Sequence, residues 1–372
     1  MQVAPPTNVE HLAPLAESWN ALAAGVPFRS WDWCSIWWRH YGTDGEWFTP
    51  TVHDEAGGLA GMAPWYVSRT AGRGRVVRFL GSGEVASDYQ SILCRAGREI
   101  EVTAALADWL TGEARDEWDL LELTGVDAED PAVIALAAQL AERGATIHRR
   151  DGLNCWRLEF PASWDVYQAG LSKSHRKQMR RLETRYLDTG RAVLRATDSD
   201  ADFDPAMETL IDLHQRRWQA QGEPGCFASP RFTAFHRQIG RRFLREGLLR
   251  LYLLELDGRT IAADYGFTGG GLLYAYQGGV EPEALEDEPG RLMNVAALKR
   301  AMQEGLRGVD YLRGDEPYKA HFRAVPRPSV ELRIAAPRSS ARLRQSAWTA
   351  GESVKLWAKR RLRWAEGARS RP

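Results

Sequence analysis

The stretch "ALKRAMQEGLRGVDYLRGDEPYKAHF", Ala297 to Phe322, sets a helix-spaced segment, a short apolar strand and a polar loop in immediate succession. "ALKRAMQEG" carries apolar residues at helical spacing and ends on Gly305. "GVDYL" reads as a short buried strand leaving that helix. The loop after it gathers Arg313, Asp315, Glu316, Tyr318 and Lys319 around Gly314 and Pro317. A solvated loop explains charge. It does not explain a Tyr-Lys pair bracketed by Val309, Tyr311, Leu312 and Phe322.

The same order of elements occurs earlier in the chain. "ALADWLTGEARDEWDLLELTGVD" (105–127) resembles 297–316, and "VHDEAGGLAGMAPWYV" (52–67) resembles "LELDGRTIAADYGFT" (254–268). Meander, helix and strand thus recur at an offset of roughly two hundred residues, as in a duplicated α/β domain. At the matching place the first copy reads "LLELTGVDAEDPAV", with neither Tyr nor Lys after the glycine. A fold that needed the pair would be expected to keep it in both copies, so the pair points to chemistry.

The remaining elements follow from pattern. Helices are expected at 9–24 and 31–41, the second with Ser30 as N-cap and Gly42 as stop, and strands at 48–54, 58–69 and 74–82. A helix at 99–114, a buried strand at 118–126 and a helix at 131–145 close the first half. The second half opens on a strand at 154–160 and a basic helix at 172–190, then two helices at 205–222 and 229–247. A three-strand meander over 248–280, a helix at 291–305 and a strand at 309–314 complete it. The division is 1–150, 151–337 and a basic tail, 338–372, helical or flexible.

Composition bounds the class. The chain has 372 residues, 44% hydrophobic and 26% charged, with a formal net charge of zero, which is the range of a folded globular protein. Neutrality gives no reason to expect nucleic acid, although 338–372 carries ten Lys or Arg against two Glu. Cys34, Cys94, Cys155 and Cys226 are scattered without a C-x-x-C, which suits a reducing compartment. The first residues lack a charged segment followed by an apolar run, and no window approaches 18 apolar residues, so a cytoplasmic location is expected. No two histidines stand at H-x-H or H-x-x-x-H, so no metal is expected.

"SWDWCSIWWRHYG" (30–42), "LSKSHRKQMRRLE" (171–183), "LHQRRWQAQG" (213–222) and "DYLRGDEPYKAHF" (310–322) together resemble the CelD-like branch of the GNAT acyltransferase superfamily. The resemblance covers roughly residues 12–336, and its most specific part is G-D-E-P-Y-K. The layout is similar to Fem-type aminoacyltransferases, which carry two GNAT-like domains in one chain. The resemblance implies an α/β (α+β) fold of tandem GNAT-like domains, each a twisted mixed sheet flanked by helices. It implies acyl transfer to an amine or hydroxyl in or beside the second half, with the first half non-catalytic.

Acyl transfer needs a proton acceptor for the attacking group, donors aimed at the developing oxyanion and a proton for the leaving group. Lys319 can stabilise the oxyanion or hold a phosphate. Tyr318 can protonate the leaving thiolate or orient substrate, and Asp315 can accept the amine's proton or hold Lys319. Glu316 is a weaker candidate for the same base. Arg313 is a candidate for substrate binding.

The family usually seats the pyrophosphate of acyl-CoA where a helix follows the fourth strand, a use of the helix N-terminus as an anion site. Here that stretch is "GGVEPEALEDEPGRLMNVAAL", with Gly290 and Arg291 at the first turn and Tyr276 on the preceding strand. The usual Arg/Gln-x-x-Gly-x-Gly/Ala pattern is absent, and Glu281, Glu283, Glu286, Asp287 and Glu288 precede the turn. Acyl-CoA (acetyl-CoA) is the expected co-substrate, with aminoacyl-tRNA as the alternative carrier.

The helix at 172–188 carries Lys173, Arg176, Lys177, Arg180, Arg181 and Arg185, most of them on one face. Repulsion at that density costs a few tenths of a kcal/mol per pair and suits an anionic partner: a phosphate-bearing substrate, a carrier, an RNA backbone or the acidic loop. Arg176 and Arg180 are therefore substrate-binding candidates. The family resemblance adds Asp88 and Tyr89. The tryptophans of 31–47 read as core or interdomain packing before sugar stacking. In the tail, Trp348, Leu356, Trp357, Leu362 and Trp364 alternate with basic residues, as in a segment that can rest on an anionic membrane.

Three readings stand. The first is a GNAT-type N- or O-acyltransferase acting on a sugar, lipid-linked or cell-envelope precursor in polysaccharide biosynthesis. The second is a Fem-type enzyme using aminoacyl-tRNA, the one case in which nucleic acid is a partner. The third is a non-catalytic GNAT scaffold in a biosynthetic complex.

Overall fold

The structure, a computed structural model, describes residues 1–6 and 8–349. Among the described residues seventeen strands form three sheets, flanked by helices. The helices are α1 (Val9–Leu12), α2 (Ala16–Leu22), α3 (Trp31–Tyr41), α4 (Glu99–Thr111), α5 (Pro131–Glu142), α6 (Trp164–Gly170), α7 (Lys173–Leu182), α8 (Asp200–Gln219), α9 (Pro230–Arg245), α10 (Pro289–Gln303) and α11 (Pro317–His321). A further helix occupies 339–349.

In the first half, β1 (Gln2–Ala4), β3 (Thr51–His53), β4 (Leu59–Met62) and β7 (Leu93–Cys94) form a four-stranded sheet. Beside it, β2 (Glu46–Trp47), β5 (Trp65–Thr70), β6 (Gly74–Phe79) and β8 (Leu120–Asp127) form a second, with β9 (Thr146–Asp151) at its edge. The strand between β8 and β9 is β17 (Ser329–Ala335), from the far end of the chain. The expected boundary at 337 therefore differs from the structure. Residues 329–349 belong with the first half, because β17 fills a gap in its sheet and Arg338 and Arg344 pair with Asp119. Residues 350–372, with Leu356, Trp357, Leu362 and Trp364, lie outside the described residues.

The second half is one seven-stranded mixed sheet in the order β11 (Ala192–Ala196), β12 (Leu249–Leu256), β13 (Arg259–Gly269), β14 (Leu272–Val280), β15 (Gly308–Arg313), β10 (Cys155–Glu159), β16 (Val325–Arg327). Its meander is set by two tight turns, Asp257-Gly258 and Gly270-Gly271, all four residues at positive φ. That is the turn geometry matching the twist of paired strands.

The two halves share a core. Ser30 caps α3 as expected, accepting from the Trp33 N–H at 3.2 Å, and α3 lays Trp33 against Phe235, Phe243, Phe267 and Tyr276 of the second half. Trp33 is fully buried, and one apolar cluster runs from Leu12 and Trp19 through to Leu249 and Phe267. The tryptophan-rich helix is interdomain packing.

One irregularity opens the sheet. β14 and β15 run parallel and pair only from Leu272 with Gly308 to Tyr274 with Asp310. Beyond that, a bulge inserts Tyr276 into β14 opposite the Tyr265–Gly266 step of β13. A bulge bends its strand and strengthens the local twist. The remainder of β14 and the end of β15 consequently run on unpaired with each other, with α10 starting just past one and α11 just past the other.

Candidate active site

The opening stretch folds as a strand end under strain. Leu312, at the end of β15, has φ +55, a left-handed conformation costly for a branched side chain. Two side chains hold it there. The buried Asp310 accepts from the Leu312 N–H at 2.9 Å, and Lys319 Nζ donates to the Leu312 carbonyl at 3.2 Å.

Lys319 is 2% exposed. Its ammonium also donates to the carbonyls of Arg313 at 3.1 Å and Gly314 at 2.9 Å, and pairs with Glu316 at 2.9 Å. All three protons are engaged by the loop itself. In this arrangement Lys319 fastens the turn from β15 into α11, and the direct roles expected for it, oxyanion donor or phosphate ligand, find no free proton.

Asp315 accepts from Asn154 Nδ2 and Trp156 Nε1, each at 2.9 Å, and those two bonds lower its pKa. A carboxylate stabilised in its charged form is a poor proton acceptor, which counts against the expected base role. Tyr318 is different. It is 41% exposed, with its ring edge-on to Tyr311 at 6.0 Å, and burial beside Glu316 and Asp264 raises its pKa, which keeps the hydroxyl protonated.

Arg313, Asp88 and Tyr89 form a clasp between the halves rather than an open binding surface. Arg313 Nε donates to Asp88 Oδ1 at 2.7 Å, its backbone N–H to Asp88 Oδ2 at 3.1 Å, and Nη2 to the Ser87 carbonyl at 2.9 Å. The Tyr89 hydroxyl donates to Asp310 Oδ2 at 2.5 Å, where Arg157 Nε joins at 2.9 Å. Arg29 donates to the Tyr89 carbonyl and pairs with Asp130 at 3.3 Å. Burial raises the pKa of both Asp88 and Asp310, and the arginine contacts oppose the rise. Ala86 and Tyr89, like Leu312, sit at positive φ, so strain collects on both sides of the clasp. Asp88 and Tyr89 are nearly fully buried, which removes them from direct contact with a substrate.

The start of α10 is engaged as well. Glu288, in the left-handed region at φ +54, stands at the N-cap position without a side-chain capping bond, and its carboxylate lies among Gln178 Nε2 (2.6 Å), Arg181 and Arg291. The Arg291 and Leu292 N–H groups turn back to the Glu288 carbonyl, and a Cβ at Gly290 would meet only Val280 at an ordinary 3.6 Å. No close approach requires glycine there. Two other acidic residues of the loop are ion-paired, Glu281 with Arg216 and Arg259 and Glu283 with Arg259, and Asp287 accepts from the Tyr186 hydroxyl. Tyr276 donates its hydroxyl to the Val85 carbonyl at 2.6 Å and is also part of the interdomain contact.

On α7 the basic residues divide. Arg181 meets Glu288, and Arg176 caps the Ala169 and Leu171 carbonyls. Lys173, Lys177 and Arg180 are exposed and have no ion pair among the described residues. His175 of α7 lies 4.4 Å from His321 of α11, and burial, His321 and Arg291 lower its pKa.

The sequence reading missed Asp264, a carboxylate in the middle of the apolar strand β13, directly opposite Gly278 of β14. Its signal was an Asp inside "IAADYGF" facing the bare glycines of "YQGGV". It also missed Asp310 and Arg157, which hold the clasp. A groove of about 580 Å³ lies where the halves meet, lined among others by Glu129, Arg157, Glu159, Arg323 and Arg327.

Residues 173–320 match the family described as acetyltransferase (GNAT) domain, and no curated protein sequence matches the chain. The solved structure of FemX is similar over 92% of this chain and 99% of its own, at 11% identity and a TM-score of 0.66. The C-terminal domain named for a lysylphosphatidylglycerol synthetase from Agrobacterium fabrum covers 91% and 96% at 10% identity, TM-score 0.53. L-PGS from Bacillus licheniformis covers 91% and 95% at 11% identity, TM-score 0.51. At such identities the likeness is one of fold. The match over residues 173–320 is to an acetyltransferase (GNAT) domain and supports a transferase.

Proposed function

We propose that the protein moves an acyl group from acyl-CoA to an amine or hydroxyl of a sugar, lipid-linked or cell-envelope precursor, with bond making in the opening between β14 and β15. The observation that carries this reading is the loss of pairing beyond Tyr274 and Asp310, inside the domain matched by the acetyltransferase family. Two strands that part leave backbone groups unpaired with each other, and Tyr318, on the short helix that follows β15, is exposed and available as a proton donor for the leaving group. The junction groove, about 580 Å³, is of a size to take a sugar or a lipid headgroup. Likeness to a domain named for lysylphosphatidylglycerol synthesis supports a lipid-linked acceptor.

Acyl-CoA meets one obstacle. Glu288 already lies among Arg181, Arg291 and Gln178 where the pyrophosphate would be seated, so the donor would have to displace it. That observation, with the bare face of Lys173, Lys177 and Arg180 and the likeness to FemX, favours a second reading in which aminoacyl-tRNA is the donor. Thermal melts of the full chain with acetyl-CoA, longer acyl-CoAs and free CoA separate the two. Ligand at a hundred times its Kd stabilises the fold by about 2.7 kcal/mol. A shift with a CoA ester supports the first reading. No shift with any CoA species, together with salt-dependent binding of aminoacyl-tRNA that weakens in Lys173→Glu and Arg180→Glu, replaces it with the second.

A further inference from the structure

Among the carboxylates around the opening, one has no partner. Asp315 is held by Asn154 and Trp156, Glu316 by Lys319, Asp310 by Tyr89 and Arg157, and Asp88 by Arg313. Asp264 makes no hydrogen bond or ion pair among the described residues. It lies on the face of the sheet that also carries Tyr252, its cross-strand neighbour, and its carboxylate rests over Gly278 of β14. A Cβ at Gly278 would come within 2.7 Å of Asp264 Oδ1, so glycine is what makes room for the carboxylate beside the parting strands.

A second orphan points to the same place. The Tyr311 hydroxyl, on a side chain 6% exposed, has no hydrogen-bond partner, and it lies within electrostatic reach of both Asp264 and Tyr318. Buried polar groups are nearly always paired, so the orphaned Tyr311 hydroxyl is a group left to meet a ligand, and the half-buried Asp264 carboxylate, with no protein partner, lies within its electrostatic reach.

We propose that Asp264 is the proton acceptor of the transfer, the carboxylate that takes the proton from the attacking amine or hydroxyl. This rests on the acyl-transfer reading above. The lone pair of the acceptor's nitrogen or oxygen forms the bond to the acyl carbon while its proton passes to Asp264. The tetrahedral adduct then expels the carrier's sulfur or oxygen with the bonding pair, and that atom takes the Tyr318 hydroxyl proton. Asp264 returns its proton to Tyr318, so one proton moves in net from acceptor to leaving group. Tyr311, with its free hydroxyl, orients the acceptor.

The electrostatics suit the task. Burial pushes the Asp264 carboxyl up to about 7, opposed only by the charge of Arg217 at the end of α8. The other titratable groups facing it are Tyr252 from β12, Tyr311 from β15 and Tyr318 from α11, all neutral at that pH. A base poised near the working pH is the most effective one.

The test uses the purified full chain with the donor that the melts identify, a panel of amines and hydroxyls as acceptors, and the variants Asp264→Asn and Asp264→Glu. Asp264→Asn is expected to lower kcat/KM by about 100- to 10,000-fold, to leave the melting shift with donor intact, and to abolish an acid limb near pH 7 in the wild-type profile. Asp264→Glu should recover part of the rate with a shifted limb. Unaltered turnover in Asp264→Asn overturns the assignment. A carbon-13 titration of the carboxyl tests it without turnover. Ionisation in the ordinary carboxylate range overturns it and leaves the function standing, whereas a wild type that consumes neither thioester nor aminoacyl ester sinks the function and the base assignment with it.

Discussion

Replacing Lys319 by methionine separates a fastening role from a chemical one. The ammonium serves three carbonyls at 2.9–3.2 Å and Glu316 at 2.9 Å, so its removal leaves Leu312 O, Arg313 O and Gly314 O without that donor. The bond to Leu312 O is buried, and stranding that acceptor costs about 1–3 kcal/mol. The other two carbonyls are partly exposed and water can reach them, so each adds roughly 0.5 kcal/mol. Methionine avoids the cost of burying a charge, and Leu312 at φ +55 loses one of its two restraints. The expected loss is about 2–4 kcal/mol, read by urea unfolding with an unchanged m-value. Activity should fall together with stability, because Tyr318 is the neighbour of Lys319 on α11. If Lys319→Met were as stable as wild type yet inactive, the fastening argument would be refuted and the ammonium would act on substrate directly.

Other perturbations test other parts. The Asp264 carboxyl titrates at about 7 in the fold and near 3.8 when unfolded, so its stabilising effect is complete below pH 4 and is lost as pH rises through 7. Asp264→Asn should therefore stabilise the protein at pH 8 and not at pH 4 in paired melts; the shift corresponds to ~4 kcal/mol, reduced by the carboxyl's partial exposure to roughly 1–2 kcal/mol. Arg313→Ala leaves Asp88 buried without its ion-pair partner and should cost about 3–5 kcal/mol in denaturant unfolding. Tyr89→Phe strips one donor from Asp310 and should cost about 1–3 kcal/mol by the same measurement. Trp33→Ala opens a cavity between the halves, and a loss of about 3–5 kcal/mol is expected in a single cooperative transition. Two separate transitions would contradict the shared core.

Elements with strong local signals were legible in the sequence. Ser30 and Gly42 bound α3 as their capping chemistry implies, and the Asp257-Gly258 turn marks the β12–β13 hairpin. The helix–strand–loop order at 297–322 gives α10, β15 and α11 their places. What was not legible depends on partners distant in sequence. Lys319, Asp88 and Arg313 carry the residue types of an active site, and only the fold shows their charges consumed by neighbours up to 226 positions away. Asp264 has the opposite history: one acid in an apolar strand draws no notice until β14 is seen to leave β15 beside it. The basic face of α7 is intermediate, because Arg181 finds the acidic loop and Lys173, Lys177 and Arg180 do not.

The position of β17 has a consequence for how the protein is made. Residues 329–335 are the strand between β8 and β9, hydrogen-bonded on both sides. During synthesis the amino-terminal half emerges first, yet its sheet has a vacant slot until nearly the whole chain has left the ribosome. The usual order, in which the first domain folds while the second is still being assembled, is closed to this chain. For the same reason, expressing the two halves as separate genes divided at 151 would leave one fragment with a gap between two strands and the other with a strand free on both edges, an invitation to aggregation. Mixed together, the fragments would find each other through that strand, and their association would report on assembly of the protein.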